Sequence, residues 1–151
     1  MSAISVAPSE QVFILTGAGV SAESGLPTFR GVDGVWRNRR VEEVASPVAW
    51  ARDPEMVWQF YSWRREIHAG CKPNPAHLAL ARLQAELGER FFLCTQNVDS
   101  LHEEAGSTGV CHMHGRLFQS RCDRASCNTA PFDDRRSARR CMTCRAATAE
   151  A

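Results

Sequence analysis

The chemically capable residues of this 151-residue chain are seven cysteines, two closely spaced histidines, a turn rich in amide and carboxylate groups, and a tyrosine set beside arginines. In "CDRASC" and "CMTC", Cys122 with Cys127 and Cys141 with Cys144 form two close pairs. Thiolates paired in this way complete a tetrahedral zinc site, and a closed four-sulfur shell leaves no position for a substrate, so a structural Zn2+ is expected; the competing reading is four unrelated thiols. Cys71, Cys94 and Cys111 are unpaired and read as small core or surface residues. "CHMHG" places His112 and His114 two apart, so on a strand they point the same way. A histidine followed by Gly115 at a strand end can be a general base, a metal ligand or a structural residue. "TQNVDSLH" carries Gln96, Asn97 and Asp99 directly after an apolar run, where an α/β sheet binds ligands and where turn and capping residues also occur. In "WQFYSWRREIH", Tyr61 and Arg64 lie three apart on a helical pattern and share a face. An aromatic ring covered by an arginine arm explains that pair as readily as ligand binding does.

The elements that must position these groups alternate along the chain. "QVFILTGAG" is a short apolar run ending in glycines, a buried strand breaking into a loop. The following "GAGVSA", Gly17 to Ala22, fits the G-x-G-x-x-G/A dinucleotide pattern after a strand, although the acidic residue expected about twenty positions on is not evident. Gly25, Pro27, Gly31 and Gly34 limit any helix in the next loop to one or two turns. Helical spacing runs from Pro47 to His68, with a start signal at Asp53-Pro54, and again from Pro75 to Leu87, capped by Asn74 and stopped by Gly88. "RFFLCTQN" reads as a second buried strand, "LHEEAG" as a short helix closed by Gly106, and Gly109 to Met113 as a third strand. This order of strands and helices predicts an α/β fold with a parallel sheet. From Arg116 onward short polar pieces hold the cysteine pairs, as in a metal-organised insert.

Composition is that of a soluble globular domain, and a formal charge of +1 argues against a generally polyanionic partner. Arginines do cluster near the end, at Arg135, Arg136, Arg139, Arg140 and Arg145. There is no apolar run of membrane-spanning length, and "MSAISVAPSEQ" lacks the regions of a secretory signal, so a cytoplasmic location is expected. In that compartment disulfides are disfavoured.

Together "GAGVSAESGLPTFRG", "TQNVDSLH", "HMHGRLFQSRC" and the paired cysteines resemble the sirtuins, NAD-dependent protein lysine deacylases, in order and approximate spacing from about Val12 to Cys144. The resemblance implies a Rossmann-like parallel sheet with a small zinc-binding insert. Residues 1–115 would form the NAD-binding part, with a helical insert at about 40–88, and 116–151 the zinc module. It implies that Gly17, Ala18 and Gly19, with Ser21 and Ala22, line the phosphate and ribose site of NAD. Phe29 and Arg30 would belong to a loop closing over the cofactor, Gln96 would contact the nicotinamide ribose, and Asn97 and Asp99 would hold the carboxamide. His114 matches the catalytic histidine, whereas His112 takes no role from the family. In the family chemistry the acyl-lysine oxygen attacks the anomeric carbon as nicotinamide leaves. The histidine then deprotonates a ribose hydroxyl, giving free lysine and O-acyl-ADP-ribose.

Among sirtuins, a tyrosine and an arginine three apart in this helix resemble class III, bacterial-type enzymes that remove succinyl and malonyl groups and also deacetylate. Tyr61 and Arg64 would then read the acyl carboxylate, with Ala45 and Pro47 in the segment that leaves room for it. The partners implied are proteins bearing acylated lysine, with neither nucleic acid nor membrane. The family continues well beyond the second cysteine pair, into further strands and a loop for the adenosine side of NAD, whereas this chain has seven residues after Cys144. That predicts a truncated or frameshifted product with weak or no NAD affinity and low or no deacylase activity. Two alternatives are a catalytically impaired remnant and a zinc-ribbon module that binds nucleic acid through the C-terminal arginines in a salt-sensitive way.

Overall fold

Two short apolar runs separated by more than seventy residues pair side by side and build the sheet that carries everything else. The computed structural model of the protein describes residues 5–28, 35–37, 39–135, 141, 143–144 and 148–150. In chain order its elements are β1 (Val12–Thr16), α1 (Gly19–Ala22), β2 (Val35–Trp36), β3 (Arg39–Arg40), α2 (Val41–Val44), α3 (Pro47–Arg52), α4 (Pro54–Ala69), α5 (Pro75–Leu87), a 3-10 turn (Gly88–Arg90) and β4 (Phe91–Thr95). They are followed by α6 (Leu101–Glu104), β5 (Cys111–His112), β6 (Gln119–Cys122), β7 (Phe132–Asp133) and β8 (Thr148–Glu150).

The main sheet has the order β1-β4-β5, all parallel, with Val12 opposite Phe91 and Cys94 opposite Cys111. On one face Phe91, Leu93 and Val110, with Val12 and Ile14, pack against Leu80, Leu83 and Leu87 of α5. Full burial of such a side chain is worth about 1.5–3 kcal/mol, so this seam holds α5 to the sheet as the crossover between β1 and β4. The opposite face leaves Phe13, Leu15 and Phe92 about half exposed, with the Phe13 and Phe92 rings stacked at 5.5 Å. The third strand is shorter than the expected Gly109 to Met113. Gly109 has φ +62°, which breaks the extended backbone before Cys111, and a turn begins at Met113.

The helical stretch expected over Pro47 to His68 is two helices, α3 and α4. Pro54 excludes helical geometry at the preceding residue, so Asp53 turns outward (φ −152°, ψ 78°) and its carboxylate accepts the Met56 N–H at 3.0 Å. Helix α5 behaves as expected. Asn74 Oδ1 accepts from the N–H groups of Ala76 and His77, His77 Nδ1 accepts from the Asn74 N–H, and Gly88 ends the helix with φ +56°. A second cluster, Trp36, Val44 and Phe60 with Tyr61 and Trp63 against it, joins α2 to α4. No described helix is long and apolar enough to cross a membrane.

The cysteine-bearing segment forms an antiparallel sheet, β7-β6-β8. It is fastened to α4 by Arg65, which is 6% exposed. Arg65 Nε donates to the Leu117 carbonyl at 2.8 Å, and its Nη1 lies 3.6 Å from Asp134 Oδ2, which also accepts the Ser120 hydroxyl at 2.7 Å. Arg65→Met leaves a buried carboxylate without its cation and is expected to cost about 3–5 kcal/mol in chemical denaturation. Adding Asp134→Leu should recover most of that loss; a single variant within about 1 kcal/mol of wild type would refute the role of this pair.

Candidate functional site

The carboxyl ends of β1, β4 and β5 converge on one cavity of about 360 Å³. Ala18 and Ser21 enter it from the turn after β1, Gln96, Asn97, Val98 and Asp99 from the turn after β4, and His114 and Leu117 from the segment after β5. The other wall is Tyr61, Arg64 and Ile67 of α4 with Ala45, and Leu26 and Pro27 close the rim. Six groups singled out by type and spacing, Tyr61, Arg64, Gln96, Asn97, Asp99 and His114, therefore face a single space. Ser21 and Ala18 share it, Ala22 is exposed, and Pro47 is exposed at the start of α3. Phe29 and Arg30 lie outside the described residues.

The turn after β1 is locked by polar groups brought from far along the chain. Thr16 and Thr95, at the ends of neighbouring strands, share a hydroxyl contact of 2.8 Å, and the Gln96 N–H reaches the Thr16 carbonyl at 3.0 Å. Asn97 Nδ2 donates to the Gly17 carbonyl and to Ser21 Oγ, both at 3.1 Å, while Ser21 Oγ donates to Asp99 Oδ2 at 3.0 Å. His77 Nε2 lies 3.4 Å from the same hydroxyl. Because His77 Nδ1 accepts from Asn74, its Nε2 carries the proton and donates to Ser21. Burial pushes the pKa values of His77 and His102 down, so both rings stay neutral, His102 beside Thr16 at 3.0 Å. Asn74 Nδ2 fastens the far side of the turn to the Val20 carbonyl and Ser24 Oγ at 2.7 and 3.0 Å. A Cβ placed on Gly19 would meet no protein atom within 4 Å, so packing does not demand glycine there; a ligand approaching the backbone would.

The two histidines do not point the same way. Strand β5 ends at His112 and a turn begins at Met113, so the period-two alternation stops between them. His112 is buried at its side chain, whereas His114 is exposed and lines the cavity. Two backbone bonds bracket His114, Met113 N–H to the Thr95 carbonyl at 2.9 Å and Leu117 N–H to the Val98 carbonyl at 2.7 Å. On α4, Tyr61 packs edge-on against Phe60 at 5.2 Å, and the Arg64 guanidinium lies 5.8 and 6.0 Å from the Phe60 and Tyr61 rings. The packing role read from the sequence is present beside cavity lining.

The four paired cysteines come together with their Sγ atoms all within 4.8 Å of one another. Cys122 and Cys144 are 3.4 Å apart and Cys127 and Cys141 3.9 Å. Four thiolates at about 2.3 Å from one ion sit about 3.8 Å from each other, so the cluster fits tetrahedral zinc. Hydrogen bonds from the Cys144 backbone N–H and the Thr129 hydroxyl pull the Cys141 thiol down to about 6, while burial pushes the Cys122 thiol up to about 12.

Sequence reading alone missed His77, His102 and Arg65; His77 was signalled only as the third helical residue after the Asn74 cap. Comparison with known proteins settles the kinship of the whole arrangement. The Sir2 family profile matches residues 17–149. The chain belongs to the Sir2 family. A NAD-dependent protein deacylase of Escherichia coli (strain K12) is 56% identical over 117 residues, 76% of this chain and 42% of that protein. A Sir2 homologue solved as a NAD complex superposes with a TM-score of 0.81 at 47% identity, covering 95% of this chain and 56% of that one. A triple mutant of a Sir2 homologue bound to 2'-O-acetyl ADP ribose gives 0.80 at 48% identity, covering 91% and 56%. The chain thus spans about half the length of the Sir2 proteins it matches. The Rossmann-like sheet with a zinc-capable cysteine module, expected from sequence, is the Sir2 fold.

Proposed function

We propose that this chain carries the catalytic and acyl-selecting residues of a NAD-dependent protein lysine deacylase that accepts acetyl and acidic acyl groups such as succinyl and malonyl. One observation supports the reading above the others: Tyr61 and Arg64 line the same cavity as Gln96, Asn97, Asp99 and His114. A guanidinium offers a carboxylate two parallel hydrogen bonds, and the Tyr61 phenol adds a third. Carboxylate recognition and the reacting groups then face the two ends of one bound acyl-lysine, supplied by acylated proteins.

NAD, when bound, supplies an anomeric carbon with nicotinamide as its leaving group. The chain's own residues would do the rest. Gly17, Ala18 and Gly19, with Ser21 and Ala22, form the turn that receives phosphate and ribose, with the open space at Gly19 for close approach. Gln96, exposed on the cavity, would contact the ribose, and Asn97 and Asp99, tied to Ser21, would orient the carboxamide. His114 takes a proton from a ribose hydroxyl. Phe29 and Arg30 retain the family role of a closing loop. Residues 1–115 make up the cofactor-binding part and 116–151 the module whose Cys122, Cys127, Cys141 and Cys144 hold structural zinc.

The test is acyl selectivity in the full-length protein. Arg64→Met should reduce kcat/KM for succinyl- and malonyl-lysine peptides by about 10- to 100-fold, the worth of a charge-assisted hydrogen bond, while acetyl removal changes by less than about threefold. Equal loss for all three acyl groups would sink the assignment.

A further inference from the structure

The family pattern gives His112 no task, yet its side chain is 4% exposed and held at both ends. Nδ1 lies 2.9 Å from the Asn97 carbonyl oxygen, and Nε2 lies 2.8 Å from Glu103 Oε1. A backbone carbonyl can only accept a hydrogen bond, and so can an ionised carboxylate. Burial pushes the Glu103 carboxyl up, but hydrogen bonds from His112 and from a backbone N–H, with the nearby Arg116, outweigh it and hold the group below its ordinary value, hence ionised. The two contacts therefore hold the ring at both ends, between the turn after β4 and α6.

The surroundings are charged from several sides. Besides Glu103, α6 brings His102, kept neutral by burial. Arg116 contributes an Nη2 3.8 Å from Glu103 Oε1, and Asp99, Asp133 and Arg135 line the adjoining cleft of about 300 Å³ with His112. What the clamp grips is the turn that lines the cavity. The Asn97 side chain is tied to Gly17 and Ser21, and its carbonyl is tied through His112 to α6.

We propose that His112 is a positioning residue that, buried between the Asn97 carbonyl and Glu103, fixes the turn from Gln96 to Asp99 in its ligand-binding conformation. The link to cofactor binding rests on the deacylase reading; the clamp does not.

Nitrogen NMR of the full-length protein with labelled histidine reads both ring contacts. Each His112 ring nitrogen should show a hydrogen bond, and the backbone signals of Asn97 and Val98 should move in Glu103→Gln, which weakens one end of the clamp. A His112 ring lacking either contact, or turn signals unchanged in Glu103→Gln, would overturn the proposal. In kinetics, His112→Gln, whose one amide nitrogen serves one acceptor, should raise KM for NAD about tenfold with a smaller change in kcat. An unchanged KM would refute the positioning role. A wild-type protein with no NAD-dependent deacylation would overturn the deacylase reading instead, and the nitrogen and backbone signals would still decide the clamp.

Discussion

Replacing His114 by alanine in the full-length protein is expected to lower kcat by about 10²- to 10⁴-fold, the usual worth of a positioned general base, with NAD binding nearly intact. The expectation rests on how this residue is built. His114 is exposed on the cavity, so its removal opens no core and should change stability by less than about 0.5 kcal/mol. Its backbone is fixed independently of its ring, by the Met113 bond to Thr95, the Leu117 bond to Val98 and the left-handed turn at Gly115. A ring on so fixed a backbone can be deleted without moving Asn97 or Asp99, so the loss should appear in kcat and not in KM for NAD. Single-turnover assays with an acetyl- or succinyl-lysine peptide measure it. Retained turnover would remove His114 from the mechanism.

Emptying the cysteine cluster should have a comparably large effect by another route. A structural zinc contributes about 10–16 kcal/mol of apparent binding free energy at neutral pH in small zinc modules, and that energy is folding energy. Cys141 is fully buried, so Cys141→Ser or a strong chelator should unfold the module whose sheet is only β7-β6-β8. The damage should then spread. Asp134 and Ser120 belong to this module, and with them disordered the buried Arg65 loses its carboxylate while the Leu117 carbonyl it holds is released. Leu117 lines the cavity three residues after His114, so activity should fall in step with zinc content. Metal analysis should give one zinc per chain, and acid should release it, since protons compete for the thiolates. Full activity in zinc-free protein would refute the coupling.

What was legible in the sequence follows from how local each cause is. The Asn74 cap, Pro75 start and Gly88 stop of α5 lie within one helix, and spacing alone gave the shared face of Tyr61 and Arg64. The four cysteines were legible because tetrahedral sulfur chemistry constrains their pairing more than the fold does. The shared direction of the two histidines was conditional on a strand through His114, and β5 ends at His112, so they line different cavities. Arg65 was passed over because an arginine on a helix is ordinarily solvated; its burial depends on Asp134, sixty-nine positions away. The Ser21 to His77 contact likewise spans 56 residues, and nothing in either neighbourhood announces the other.

That separation also governs when the site comes into being. Thr16 and Thr95, the hydroxyl pair closing the β1–β4 ladder, are 79 residues apart. At roughly 5–20 residues per second of synthesis, β1 leaves the ribosome about 4–16 s before its partner strand is made. Throughout that interval its alternating Phe13 and Leu15 on one side and Val12 and Ile14 on the other have no strand to lie against, while α4 and α5 have only local contacts to form. The cavity takes its walls from both sides of this delay, so it is among the last parts of the molecule to exist, and a chaperone that covers one short apolar strand would govern the yield of working sites.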